Sequence, residues 1–310
     1  MKSRFTDLTK DKPYLLFFFS VLLLSAFISI LITTIFIEAY PAVSNSGVLY
    51  FIFGTSWGAE QGVYGAWIFI MGTFWMTAVT MCMAVPLGIF TAIYLAEFSH
   101  PKVSSLMKSS IELLVGIPSV VYGILGLFVL KDFLSAYVTP VISGTLGEVI
   151  PVFRANPTSD GTGVFLASVV LAIMILPTII SIAYDAMRSV NKELIEGSLA
   201  LGATKWETIE KIIIPTSFAG ITAGITLGMM RAIGETMAIV MLLGNAMVVP
   251  ASIFDNGYAM TSKILNDITY TYGLYPEATS ALFGLAALLF VIEAMFLVAM
   301  RIICLHYRRS

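Results

Sequence analysis

The chain has 310 residues, of which 58% are hydrophobic and 12% charged, with a formal net charge of −2 and a mean hydropathy of +0.92. Soluble globular domains carry about 25% charged residues, so this composition excludes an ordinary soluble domain and indicates a multi-pass membrane protein. Two cysteines and two histidines provide neither a disulfide framework nor a metal-ligand cluster, so we expect no cofactor and no metal in this chain.

Six apolar stretches are each long enough to form a helix across the hydrocarbon core, which takes about 20 residues. They lie at residues 14–37, 65–96, 113–130, 162–184, 216–245 and 278–300. The first is longer than the apolar region of a secretory signal, about 7–15 residues, so we expect it to be retained as a membrane span. The chain is therefore predicted to be an all-α membrane protein.

Basic residues determine the predicted orientation of these spans. Lysines and arginines are concentrated before the first span, after the last span, and in the loops that follow the second and fourth spans. Because such enrichment is typical of cytoplasmic segments, both termini are predicted to be cytoplasmic. The predicted organisation is a cytoplasmic segment 1–13, a single transmembrane domain 14–304 and a basic cytoplasmic tail 305–310.

Two outer segments are predicted on the opposite side of the membrane. Residues 131–161 are rich in glycine, proline and serine and are predicted to form a loop. Residues 258–278 are predicted to form either a short surface helix, where an external partner can dock, or a solvated loop.

The fifth stretch contains two charged residues, Arg231 and Glu235, four positions apart. With both termini on one side the number of crossings is even, so 216–245 is predicted to be one helix rather than two short spans separated by the charges. Residues four apart share one helix face, so the two side chains are expected to pair beside the small-residue ridge Gly220, Gly224 and Gly228. The pair is interpreted either as a structural salt bridge or as part of an anion pathway, since intramembrane charges are rare and often functional.

The loop between the fourth and fifth spans, about 185–215, is predicted to form a short amphipathic helix, a turn at Gly202 and a second helix. Thr204 and Glu207 have the spacing of a capping box at the start of that second helix. The spacing of the loop resembles the EAA loop of ABC-importer permeases. The matching residues are Glu196, Gly197, Ser198, Gly202, Ala203 and Pro215.

This resemblance implies that the loop couples the chain to a separate ATP-binding subunit. The chain contains no G-x-x-x-x-G-K-[ST] phosphate loop, so ATP and Mg²⁺ are expected to be bound by partner ATPase subunits. The resemblance also implies a type I ABC-importer bundle of six helices in the cytoplasmic membrane. The chain itself is then a transport subunit and not an enzyme.

Four segments narrow the resemblance to the PstC family of phosphate-importer permease subunits. They are "GTFWMTAVTMCMAVPLGIFTAIYLAEF", "IELLVGIPSVVYGILGL", "LGATKWETIEKIIIP" and "RAIGETMAIVMLLGN". The resemblance implies that Arg231 and Glu235 take part in translocation of inorganic phosphate. It also implies four kinds of partner besides the lipid bilayer: phosphate itself, a homologous PstA permease, two PstB ATPase subunits and an external PstS phosphate-binding protein. No nucleic-acid partner is expected.

Three alternatives remain open at this stage. In the first alternative, the importer carries another oxyanion, such as sulfate or molybdate. In the second, the chain is the sister subunit PstA, which shares the "RAIGET" segment. A secondary carrier driven by an ion gradient is a further alternative, although such carriers often contain inverted repeats and none is evident in the sequence. An intramembrane enzyme is disfavoured, because no serine–histidine or paired-aspartate site is present.

Overall fold

The computed structural model describes residues 12–58, 62–156, 160–272 and 274–307 of the chain. Residues 1–11 of the predicted cytoplasmic segment and 308–310 of the predicted basic tail lie outside the described residues. The described part is mostly helical, as the composition predicts.

The helices follow one another with short connections and a single two-stranded hairpin within the described residues. The elements in chain order are α1 Lys12–Ser46, α2 Val48–Phe53, β1 Trp57–Gly58, β2 Val63–Tyr64, α3 Trp67–Phe98, α4 Pro101–Val115, α5 Ser119–Val149, α6 Val164–Arg188, α7 Lys192–Ala200, α8 Lys205–Gly234, α9 Met237–Leu242, α10 Met260–Thr271 and α11 Pro276–Tyr307. β1 and β2 pair in antiparallel orientation.

Six of these helices, α1, α3, α5, α6, α8 and α11, are long and apolar enough to cross a membrane. The predicted number of spans is therefore confirmed. Most helices extend beyond the predicted apolar segments, because a helix can continue into water once it has left the hydrocarbon core. The predicted surface helix on the outer side is also present, as α10.

The boundaries predicted for the third span are wrong. Residues 113–115 belong to α4, the chain turns at 116–118, and the span itself is α5. Pro118 lacks a backbone N–H and disfavours a helical conformation at Ile117, which separates the two helices. At the other end, Lys131 and Asp132 interrupt the apolar run but not the helix, so the predicted outer loop begins only after Val149.

Helix α6 lies at the centre of the bundle and α1 at its edge. In the most apolar window of α6, 61% of the residues are buried, whereas none is buried in that of α1. Apolar residues lie on most faces of α6, as expected for a helix with protein neighbours on several sides. It packs against α3 and α8, while α11 packs along α1.

The small-residue ridge of α8 forms its contact with α6, a partner that was not predicted from the sequence. A Cβ atom built on Gly220 would collide with the side chain of Ala186, and one on Gly228 would lie 2.8 Å from Ile179 Cγ1. The ridge therefore lets the two backbones approach more closely than any larger residue would permit. Since α8 also carries Arg231, this contact fixes the position of that side chain relative to α6.

We expect Gly220→Ala to lower the stability of the protein in detergent by about 1–3 kcal/mol, because the added methyl group overpacks the α6–α8 contact. Gly144→Ala is the matched control, since a Cβ atom at Gly144 meets no atom within 4 Å and alanine favours helix. Thermal unfolding of both variants checks this prediction. Equal midpoints for the two variants would contradict the role of the ridge.

Candidate translocation site and coupling loop

The fifth predicted span is interrupted at the position of its charged residues. Helix α8 ends at Gly234, Glu235 has an extended backbone with ψ near 134°, and the short helix α9 starts at Met237. The prediction of one helix over 216–245 is therefore wrong, although the predicted even number of crossings holds. The six residues of α9 are too few for a second crossing, so the charges stand at a break near the outer end of one span.

The carboxylate of Glu235 accepts hydrogen bonds from the backbone beyond the break. Its Oε1 atom lies 3.2 Å from the N atom of Thr236 and 3.4 Å from that of Ala238. These N–H groups begin α9 and have no partner within the helix, so the carboxylate satisfies them and interacts favourably with the helix dipole. The backbone oxygen of Glu235 in turn accepts a hydrogen bond of 2.9 Å from Thr261 Oγ1 on α10.

The predicted ion pair between Arg231 and Glu235 is wrong for this conformation. Among the described residues, no contact within 4.0 Å joins the two charged groups. The physical reason is the break itself, because residues four apart share a face only while the helix continues between them.

Arg231 is half-buried, and its guanidinium points towards α6. Its Nη1 atom donates a hydrogen bond of 3.4 Å to Thr178 Oγ1, the one hydrogen bond of this side chain within the described part of the chain. A guanidinium carries five N–H donors in a planar fork, so most of its donors remain available for an anion. Thr178 follows Pro177 inside the continuous helix α6, and this hydroxyl group in an apolar span was the sequence signal that could have indicated the contact.

A second interruption packs beside the first. The turn at 116–118 precedes α5, whose Gly123 lies against Met241 and Ala238 of α9. Tyr122 is buried on α5, within electrostatic range of Arg231, and its hydroxyl donates a 3.0 Å hydrogen bond to the Leu114 carbonyl across the turn. No role for Tyr122 was predicted from the sequence.

Glu293 is an acidic residue within the membrane-spanning helix α11. Its Oε1 atom lies 3.6 Å from the position a Cβ atom would take on Gly234, where α8 ends. Within the described residues its carboxylate forms no hydrogen bond and no ion pair. It therefore lies near the break without participating in the contacts that hold it.

The loop between α6 and α8 has the predicted local structure. Asn191 caps α7 by accepting a hydrogen bond from the Glu193 N–H, and Thr204 and Glu207 form the predicted capping box of α8. Gly202 has φ of +89°, so it supplies the left-handed turn between the two helices. Ser198 and Thr208 hydroxyls lie 3.0 Å apart and join α7 to α8.

Apolar side chains of this loop point away from the bundle. Leu194, Leu199 and Leu201 are 50%, 46% and 90% exposed, whereas Ile195 packs against the cytoplasmic core. Glu196 and Gly197 are also exposed, while Pro215 lies inside α8 instead of ending the loop. The predicted coupling residues other than Pro215 thus lie in the same segment as three exposed leucines, and exposed apolar side chains that cluster mark sites of protein contact.

The cytoplasmic end of α6 is tied to α4 by a lysine. Lys108 Nζ lies 2.5 Å from Asp185 Oδ1 and 5.2 Å from the centre of the Tyr184 ring. The hydrogen bond to Asp185 raises the pKa of Lys108 above its ordinary value, so this group stays charged at neutral pH. This contact joins α4 to the end of α6 from which the loop departs.

We expect Glu235→Ala to raise the amide exchange of 236–242, because α9 loses the acceptor for its first N–H groups, at a cost of about 0.5–2 kcal/mol. Glu235→Gln retains an acceptor oxygen at the same place and should keep most of the protection. Hydrogen–deuterium exchange with mass spectrometry measures both variants. The same exchange in the two variants would mean that the carboxyl oxygen does not cap α9.

Comparisons with known proteins identify the family of this chain. The sequence matches the family described as "Binding-protein-dependent transport system inner membrane component" over residues 84–304. It is 37% identical to the "Phosphate transport system permease protein PstC" of Haemophilus influenzae over 254 residues, which cover 81% of this chain and 79% of that protein. It is 40% identical to the "Probable ABC transporter permease protein YqgH" of Bacillus subtilis over 241 residues, which cover 77% and 71% of the two chains.

The fold is similar to that of a solved transporter. With a TM-score of 0.59 and 16% identity, 96% of this chain superposes on 98% of a chain from the crystal structure of a bacterial ABC transporter involved in the import of the acidic polysaccharide alginate. Six membrane-spanning helices and the family match identify a multi-pass inner membrane protein. The chain belongs to the family of binding-protein-dependent transport system inner membrane components, and within that family to the PstC permeases.

Proposed function

We propose that this chain is the permease subunit of an ATP-driven importer that moves inorganic phosphate across the cytoplasmic membrane by alternating access. The observation that carries the proposal is the Arg231 guanidinium, half-buried beside a helix break and without a carboxylate partner among the described residues. The similar protein of Haemophilus influenzae is named a phosphate transport system permease protein, which supports phosphate as the cargo.

The chemistry of Arg231 suits a phosphate ion. A planar guanidinium binds two oxygens of a tetrahedral oxyanion at once, and its charge persists at any physiological pH. Glu235 is held at the start of α9, so it does not neutralise Arg231 in this conformation. A transport site must also release its ion, and the nearby negative charge of Glu235 opposes tight retention of an anion.

Energy for transport comes, in this proposal, from two PstB-type ATPase subunits on the cytoplasmic side. The exposed leucines of α7 and the turn at Gly202 provide the contact surface. ATP binding brings the ATPase subunits together and displaces α7, which opens the bundle outwards. Hydrolysis and product release then return the bundle to an inward-open state.

The outer side is assigned to a PstS-type phosphate-binding protein. Helix α10 and the residues after it present large exposed side chains, namely Tyr270, Tyr272, Leu274 and Tyr275. Aromatic residues are enriched in the cores of protein interfaces, so this surface suits an external protein partner. A homologous PstA-type permease completes the transmembrane pathway.

We expect Arg231→Gln to lower phosphate uptake at least about tenfold, because the charge-assisted hydrogen bonds to the anion are lost. Arg231→Lys should show an intermediate rate, since it keeps the charge but loses the fork. Uptake of radiolabelled phosphate measures both variants, with Arg301→Gln, at the exposed cytoplasmic end of α11, as the matched control. Copurification with the ATPase subunits verifies assembly.

Three outcomes, one from that experiment and two from related uptake assays, would contradict the proposal. Normal uptake by Arg231→Gln would reduce Arg231 to a structural role. Equal inhibition of uptake by sulfate and unlabelled phosphate would favour a different oxyanion importer. Uptake by the purified chain in liposomes without ATPase subunits would favour a secondary carrier.

We expect Gly202→Val to weaken association with the ATPase subunits and to lower uptake, because a β-branched residue at positive φ costs about 1–3 kcal/mol of backbone strain. A Cβ atom at Gly202 meets no atom within 4 Å, so packing within the chain is not disturbed. Gly202→Asn is the matched variant, since asparagine tolerates the left-handed region and should retain coupling. Full association and uptake in Gly202→Val would contradict the docking assignment.

A further inference from the structure

A lysine on the outer helix α10 is buried despite its charge. Lys263 is 7% exposed, and its Nζ atom lies 2.6 Å from Asp267 Oδ2, one helical turn further on. Charged side chains are rarely buried to this extent unless they are paired, and a buried pair need not increase stability over apolar residues of similar size. The position of this cation therefore requires an explanation beyond stability.

Three aromatic rings surround the ammonium group. Nζ lies 5.6 Å from the ring centres of Trp57 and Phe69 and 5.4 Å from that of Tyr258. The rings also contact one another, with centres 5.2 Å apart for Trp57 and Phe69 and 5.3 Å apart for Phe69 and Tyr258. We name Lys263, Asp267 and these three aromatic residues the lysine cage.

The rings of the lysine cage come from separate parts of the chain. Trp57 belongs to the outer hairpin, Phe69 to the first turn of α3, and Tyr258 to the segment before α10. Burial raises the pKa of the Tyr258 hydroxyl, which accepts a 3.0 Å hydrogen bond from Asn266 Nδ2, so this residue remains a neutral phenol. Cation–π contacts in a desolvated site are strong, and here they join three segments to one residue of α10.

The first turn of α10 is bonded to the helix break that bears Glu235. Thr261 Oγ1 donates a 2.9 Å hydrogen bond to the Glu235 backbone oxygen, and the Met260 N–H donates one of 3.0 Å to Thr73 Oγ1 on α3. Lys263 is two residues beyond Thr261 on this turn. A short chain of direct contacts thus leads from the lysine cage to the break.

We propose that Lys263 is a positioning residue that holds α10 against the outer hairpin and α3, so that Thr261 sets the geometry of the Glu235 break. Because the exposed tyrosines 270 and 272 lie at the other end of the α10 segment, a protein that docks there displaces the break through the same contacts. The inference rests on the proposed function in one respect, namely that an external binding protein acts on α10.

The test replaces Lys263 with methionine, which keeps the length of the side chain and removes its charge. The variant is studied in the complete transporter in nanodiscs, with its ATPase subunits and binding protein. Two quantities are measured: amide exchange of 236–242 without substrate or binding protein, and ATPase activity with and without binding protein. Thr269→Ala, at an exposed position of α10, is the matched control.

We expect Lys263→Met to leave basal ATPase activity within about twofold of wild type and to lower its stimulation by binding protein about tenfold, the factor expected when a desolvated cation–π contact is lost. Exchange of 236–242 should become faster in Lys263→Met and remain unchanged in Thr269→Ala. Stimulation that survives in Lys263→Met overturns the proposal. Loss of stimulation without faster exchange also overturns it, because the signal then bypasses the break.

If Lys263→Met fails to assemble, Asp267→Asn is measured in the same way, since it leaves Lys263 buried without its ion partner and so destabilises the lysine cage. Wild-type exchange and stimulation in Asp267→Asn then overturn the proposal. The exchange measurement needs no phosphate, so it separates this inference from the proposed function, which fails instead if the wild-type complex carries no phosphate.

Discussion

A helix that stops inside a membrane protein leaves its backbone polar groups without partners, and the rest of this site depends on how those groups are satisfied. At the end of α8 neighbouring residues provide these partners. The Glu235 carboxylate accepts hydrogen bonds from the first N–H groups of α9, and Thr261 donates one to the Glu235 carbonyl. Unsatisfied groups cost several kcal/mol in an apolar environment, so these contacts decide whether the break can exist. Everything else near Arg231 follows from the break.

The most important consequence is electrostatic. A carboxylate that is engaged with backbone N–H groups is not available as the counter-ion of a guanidinium, and Arg231 contacts the neutral hydroxyl of Thr178 instead. The bundle thus contains a cation whose donors are mostly unused, a state that an anion would stabilise. The glycine ridge of α8 keeps this cation at a fixed place on α6. In the proposed function, displacement of the loop at the other end of α8 moves it.

Apolar length was sufficient to predict the number of spans, and local residue spacing was sufficient to predict the close-packing ridge of α8 and the cap at Thr204. The break at Glu235 was not predictable in that way, since "GETMA" contains no proline and the Glu235 backbone oxygen is satisfied by a tertiary hydrogen bond from Thr261 on α10. The third span shows the opposite error. Pro118 indicates a break in the helix, but the span boundaries were predicted from the apolar residues on both sides of it. Lys263 was assigned simply to an outer segment, because its aromatic neighbours are distant in sequence.

The central claim is that Arg231 contacts the transported anion directly. Solid-state NMR measures this through dipolar coupling between ³¹P of phosphate and ¹⁵N of arginine side chains in the nucleotide-free complex. The account predicts coupling at a distance of about 4 Å or less, typical of a direct guanidinium–phosphate hydrogen bond, and its disappearance in Arg231→Lys. Absence of coupling in the wild-type complex, or coupling that persists in Arg231→Lys, would contradict it.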